Sequence, residues 1–174
     1  MASEPLTRLR AASRLELERC LTLLVHIGAG QLLGRLPGST GVRINYPILG
    51  GCFAVFEKDH PIAEGEVLPG GEDRFLEYAD GGGRLDARYC LRTTEGALIN
   101  VRNRGWLNVT TAGRQRMDEG CWPLPETEYH CQGTPEFEVD DSPLHWLARE
   151  VFIAQCRYPA PNEVRVDVYR LPSR

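Results

Sequence analysis

At 174 residues and 19.5 kDa the chain has room for one domain with a real core, and 42% apolar with 25% charged residues excludes a disordered or collagen-like polymer. Lys and Arg number 20 against 24 Asp and Glu, a net charge of −4 that argues against a non-specific binder of nucleic acid or of an anionic membrane. Eighteen glycines and 12 prolines favour turns over long helices, and no run approaches the about 20 apolar residues of a membrane span.

Residues 1–14 are polar and Arg-rich, with charges throughout and no apolar stretch of the signal-peptide kind. They read as a flexible tail on a cytoplasmic protein, ahead of one domain over 15–174. A helical pattern occupies residues 13–20. The run CLTLLVHI, Cys20 to Ile27, is short and apolar and predicts a buried strand. Gly28, Gly30 and Gly34 follow it like a dinucleotide-binding turn, but the spacing is one residue too long. Pro37-Gly38 would also stop the helix such a turn must open, so no nucleotide site is expected. RINYPIL and CFAVF predict two strands separated by Gly50-Gly51, and FLEYA predicts another after Pro69-Gly70-Gly71. Residues 84–104 form a long hairpin, and 107–125 read as irregular. ETEYHCQ, PEFEV, VFIAQCRY and EVRVDVYRL complete the strands, with a helical turn near Leu144–Arg149. Many short strands with turn signals between them mean an all-β fold, a single antiparallel barrel or a sandwich with one or two short helices.

The hairpin fixes its own register. Leu85, Ala87, Tyr89 and Leu91 alternate with Arg84, Asp86, Arg88 and Arg92, while Ala97, Ile99 and Val101 alternate with Leu98, Asn100, Arg102 and Arg104. A three-residue loop Thr94-Glu95-Gly96 sets Leu91 opposite Ile99, Tyr89 opposite Val101, Asp86 opposite Arg104 and Arg88 opposite Arg102. Gly96 then takes the left-handed position. A two-residue loop would pair apolar with charged side chains and is rejected.

The six cysteines, Cys20, Cys52, Cys90, Cys121, Cys131 and Cys156, form no C-x-x-C pair and read as buried, inert thiols. His130, Cys131, Cys121 and His145 lack the short spacing of a zinc site, so neither metal nor cofactor is expected. Charged rows such as Glu136, Glu138 and Asp140 are ordinarily solvated outer faces. The functional alternative is a barrel whose cavity holds a carboxylic acid of raised pKa. Tyr46, Phe53, Tyr89, Trp106, Trp122 and Trp146 are candidates to line it.

The segments GVRINYPILGGCF, GEVLPGGED, LDARYCLRTTEGALINVRNRG, TPEFEV and HWLAREVFIA, in this order, resemble the domain of unknown function 3237 family. That resemblance implies a small antiparallel β-barrel of calycin-like or allene-oxide-cyclase-like shape with an internal pocket. Asp73, Asp86, Arg88, Thr93, Gly96, Phe137, Glu138, Trp146 and Leu147 stand at the family's motif positions. The chain departs from the pattern at Phe75, where many members carry Trp, in a longer 58–64 loop, and across 107–133. Some fungal members are cofactor-free cyclases of aromatic polyketide pathways, so the implied reaction is intramolecular hydroalkoxylation of a prenyl-type alkene on a small hydrophobic aromatic substrate.

For that reaction the proton donor is expected to be Asp86 or Glu138, then Asp73. Arg88 or Arg104 would hold a phenolate or enolate. Tyr46, Tyr89 and Trp146 would stack on the ring and steady positive charge, with Phe53, Arg102 and Trp106 as further substrate contacts. The alternative is a non-catalytic barrel that binds a small hydrophobic ligand. Motif positions on both faces of the hairpin point to a homodimer or higher homo-oligomer, with no nucleic-acid or membrane partner.

Overall fold

The computed structural model describes residues 14–171. Ten strands run antiparallel: β1 Glu18–Ile27, β2 Gln31–Arg35, β3 Val42–Glu57, β4 His60–Val67, β5 Glu72–Glu77, β6 Gly83–Thr93, β7 Leu98–Val109, β8 Tyr129–Val139, β9 Phe152–Ala160 and β10 Glu163–Arg170. A helix, α1 (Thr111–Asp118), separates β7 from β8, and single 3-10 turns cover Glu126–Glu128 and His145–Ala148. The sheet order β1-β10-β9-β8-β7-β6-β4-β3 closes through pairing of β3 with β1. β4 and β5 share one position, both lying between β3 and β6, so the wall is an eight-position barrel with β2 attached outside. Among the described residues no helix is long and apolar enough to cross a membrane.

The hairpin of β6 and β7 has the expected register, with Asp86 opposite Arg104, Arg88 opposite Arg102, Tyr89 opposite Val101 and Leu91 opposite Ile99. Its loop closes by Thr93 N–H donating to Ala97 O at 2.9 Å, with Gly96 at φ +93°. Leu91 and Ile99 are fully buried and the arginine row faces out. Period-two alternation therefore separates barrel interior from solvent.

Other elements correct the sequence reading. β3 is one 16-residue strand, because Gly50 and Gly51, at φ +145° and +139°, carry the chain through a bulge rather than ending it. Before the bulge the even positions Tyr46 and Ile48 point inward; after it the odd positions Phe53 and Val55 do. β8 likewise runs unbroken through Pro135, joining YHCQ to PEFEV, while the preceding Glu126–Glu128 form a 3-10 turn rather than strand. The 58–64 segment is a hairpin, not a long loop, turned by Lys58 and Asp59 at φ +48° and +66°. Residues 14–17 are not helical and β1 begins at Glu18; the rest of the N-terminal tail lies outside the described residues. α1 escaped notice because TAGRQRMD has no apolar stripe. It starts where Thr110 Oγ1 accepts from Gly113 N at 3.1 Å, and Gly113 lets it seat on Val109 and Leu124.

One end of the barrel is plugged solid by Leu21, Val55, Leu91, Ile99, Leu147 and Phe152, each 2% exposed or less. Burial of each contributes about 1.5–3 kcal/mol. Phe137 and Phe152 meet edge to face there, 5.1 Å between centroids. The other end is left hollow.

A Cβ on Gly51 would collide with the carbonyl oxygen of Leu24 on the strand that closes the barrel, whereas one on Gly96 meets open space. Gly96→Ala is expected to cost about 1 kcal/mol from backbone strain alone, and Gly51→Ala at least twice that. Urea unfolding of both variants checks the difference; equal losses would contradict the close approach of β3 to β1.

Candidate functional site

The hollow end holds a cavity of about 440 Å³. Its wall is largely aliphatic and aromatic, with Ile48, Phe75, Leu85 and Leu107 around Tyr46, Tyr89 and Tyr158. Its mouth is formed by the β1–β2 connection at Gly28-Ala29-Gly30, the turn at Gly81, Pro161, and the excursion after β7, which contributes Met117 and Trp122.

Three of the polar side chains that line this space share one cross-strand row, and Glu77 lines it from further along β5. Tyr46 pairs with Asp73, Asp73 with Ala87, and Ala87 with Asn103, on β3, β5, β6 and β7 in turn. Tyr46, Asp73 and Asn103 all line the cavity, and the methyl of Ala87 leaves open the space between the last two. Two strand spacings put Asp73 and Asn103 about 10 Å apart at the backbone.

Asp73 Oδ1 accepts the backbone N–H of Asp86 at 2.9 Å, and among the described residues Oδ2 has no partner. Burial pushes this carboxyl up to about 6, aided by the negative charge of Asp86, while the Asp86 N–H and the positive charge of Arg43 act in the opposite direction. The surrounding phenols and the Cys156 thiol stay protonated. Burial raises Tyr89 and Tyr158, and burial with the nearby Glu77 and Asp73 carboxyls raises Tyr46. Cys156, opposite Cys131 across β8 and β9, is raised by its hydrogen bond with Cys131 and by burial. Tyr158 meets Cys131 Sγ through Oη at 3.3 Å and packs on Trp122 at 4.8 Å between centroids.

Of the residues expected from sequence, Asp73, Tyr46, Tyr89 and Trp122 meet in the cavity. The others lie elsewhere. Asp86 is on the outer face, where the Arg102 guanidinium grips it through Nε and Nη2 at 3.0 and 3.1 Å and holds it below the usual carboxylate range. It is an ionised partner for arginine, not a proton donor. Arg88 lies 3.7 Å from Asp86, and Arg104 donates to Glu136 at 2.6 Å, so both guanidiniums belong to the same solvated ladder. Glu138 is exposed and accepts from Asn100 at 3.0 Å. Trp106 is half exposed on the outside, stacked on Tyr78 and under Arg84. Phe53 is part of the plug, and Trp146 packs on Phe152 beneath Arg170 at the plugged end. The hydrophobic pattern gave these faces correctly, yet motif position alone put outer-face residues into the pocket.

Sequence reasoning missed Asn103 and Tyr158. Asn103 stands on the inward row of β7 with Ile99 and Val101, an alternation that marked it as a buried amide. Tyr158 carried no signal. Three of the six cysteines, Cys20, Cys131 and Cys156, are buried as expected; Cys52 and Cys121 are exposed.

The folded chain binds Asp73's proton more tightly than the unfolded chain, whose carboxyl titrates near 3.8. Stability therefore falls as pH rises between about 4 and 6, by up to about 3 kcal/mol from this group. Asp73→Asn is expected to match wild type near pH 4 and to exceed it by up to that amount at pH 7 in urea unfolding. A difference that does not change with pH would refute the buried placement.

The fold and chain match known proteins along nearly their whole length. A UPF0311 protein of Rhodopseudomonas palustris is 29% identical over 157 residues, 90% of this chain and 97% of that one. A β-barrel-like protein of Acinetobacter baumannii superimposes with a TM-score of 0.73 at 26% identity, over 94% of this chain and 99% of its own. A protein described as an enzyme from Penicillium herquei superimposes at 0.63 with 18% identity, over 92% and 97%, a likeness of fold. The model of the DUF3237 family, proteins of unknown function, matches residues 15–171, and the chain belongs to that family.

Proposed function

We propose that the protein is a cofactor-independent cyclase that closes an oxygen heterocycle by hydroalkoxylation of a prenyl-type alkene on an aromatic polyketide. The observation that carries this reading is a single carboxyl of raised pKa, Asp73, facing an apolar cavity of about 440 Å³. Near neutral pH an ordinary aspartate has almost no acid form to give, and one titrating near 6 has an appreciable fraction.

In the proposed reaction Asp73 transfers its proton from Oδ2 to the less substituted alkene carbon. The π bond breaks, a C–H bond forms and a tertiary cation is left on the neighbouring carbon. The aryl hydroxyl attacks that carbon, a C–O bond forms, and the hydroxyl proton returns to the Asp73 carboxylate. The product is an isomer of the substrate and the acid is regenerated. The dry wall protects the cation from water. Tyr46, Phe75 and Trp122 steady it through their ring faces, taking the part expected of Tyr46, Tyr89 and Trp146. Holding the hydroxyl against the cationic carbon supplies the rest as pre-organisation. The Asp86 N–H fixes the Asp73 carboxyl so that Oδ2 is the atom presented. The barrel shared with the Penicillium herquei protein, described as an enzyme, agrees with this reading.

The aliphatic wall of Ile48, Leu85 and Leu107 also favours a second reading, a carrier that holds a hydrophobic aromatic ligand without transforming it.

The test uses 2-prenylphenol and its product 2,2-dimethylchroman. Wild type is expected to cyclise it with or without a chelator, with turnover falling about tenfold per pH unit above 6. In D₂O one deuterium enters the carbon next to the cationic centre. Asp73→Asn should lower turnover at least about 100-fold while binding within a few fold; Glu138→Gln and Arg104→Gln should change it little. Full turnover in Asp73→Asn overturns the cyclase reading, loss on chelation overturns its cofactor independence, and binding without turnover in wild type leaves the carrier.

A further inference from the structure

Asn103 is the amide of the lumen row, and its surroundings are not those of a structural asparagine. It is 4% exposed. Its Oδ1 has no hydrogen-bond partner, and its Nδ2 reaches only Cys156 Sγ, at a long 3.9 Å. A buried polar atom left unpaired costs about 1–3 kcal/mol, and a leucine of similar shape would fill the same space without that cost.

The neighbouring strand is adapted to this side chain. A Cβ on Gly133 of β8 would collide with Asn103 Oδ1. The missing side chain is therefore a notch that accepts the carbonyl end of the amide and turns the NH₂ end toward Cys156, which itself lines the cavity. One of the two N–H bonds points at a weakly accepting sulfur and the other has no acceptor among the described residues.

The geometry points to Asn103 as a substrate-positioning residue that donates to a carbonyl oxygen, so that the ligand class is an aromatic bearing a carbonyl on one side and its reacting group on the other. This rests on the reading of the cavity as a ligand site. The carbonyl lies at the Asn103 end of the row and the reacting group near Asp73, with Ala87 between them leaving room for the ring. The backbone spacing of about 10 Å, narrowed by two side chains that enter the same lumen, leaves room for an aromatic ring system between the two groups. Asn103 then fixes which atom of the ligand meets the acid.

Two probes of nearly the same shape, 2-acetylnaphthalene and 2-isopropylnaphthalene, test this through quenching of intrinsic fluorescence. Their ratio of affinities in wild type is compared with that in Asn103→Leu, so that their different solubilities in water cancel. The ratio is expected to fall about fivefold in the variant, with the hydrocarbon binding unchanged. Gly133→Ala, which displaces the amide from its notch, should lower it similarly and serves if Asn103→Leu does not fold. In wild type the C=O stretch of bound 2-acetylnaphthalene should lie below its value in hexane and return toward it in either variant. An unchanged ratio, or a stretch in wild type equal to that in hexane, overturns the role of Asn103 alone. Failure of both probes to bind overturns the cavity reading together with it.

Discussion

Barrel closure rests on what one strand can pair with. β3 hydrogen-bonds to β1, β2, β4 and β5 along its 16 residues, and it can do so because Gly50 and Gly51 bend it between its two halves. The first half faces β5 and carries Tyr46 and Ile48 to the cavity; the second faces β1 and β4 and carries Phe53 and Val55 into the plug. The bulge shifts the inward parity by one residue between halves, so each keeps its apolar row inside. Without it, either the plug or the cavity wall would present its polar face to the interior.

The same division separates two kinds of charge. Outside, Asp86, Arg88, Arg102, Arg104 and Glu136 form an ion-pair ladder across β6, β7 and β8, each pair contributing little in water. Inside, among the described residues, Asp73 makes no ion pair and accepts only the Asp86 N–H, with Arg43 acting on it from a distance. The two aspartates are joined through a single peptide group yet lie on opposite sides of the sheet, and their carboxyls shift in opposite directions. Proximity in the fold says nothing about role here; the face decides.

Much of this was legible beforehand. The alternation over 84–104 and the Thr94-Glu95-Gly96 loop determine the register of the longest hairpin, because any slip would bury arginines. The barrel itself follows from many short strands and from motifs shared with the family. Long-range facts were not legible. Gly50-Gly51 reads locally as a break, and only the pairing of β3 with β1 shows it to be a bend. The outward face of Asp86 follows from the charged row of 84–92, whereas the inward direction of Asp73, just after the Pro69-Gly70-Gly71 turn, depends on the opposed strand. α1 has too little apolar content to announce itself, and its place over the mouth comes from tertiary contacts of Gly113.

The solid and hollow halves of the barrel have little in common beyond the strands that run through both. Leu21, Leu91, Ile99 and Phe152 hold the wall shut at one end, while Phe75, Leu85, Met117 and Trp122 shape what enters at the other. Exchanging rim residues at the hollow end therefore alters what the cavity admits while the packed end continues to hold the barrel closed.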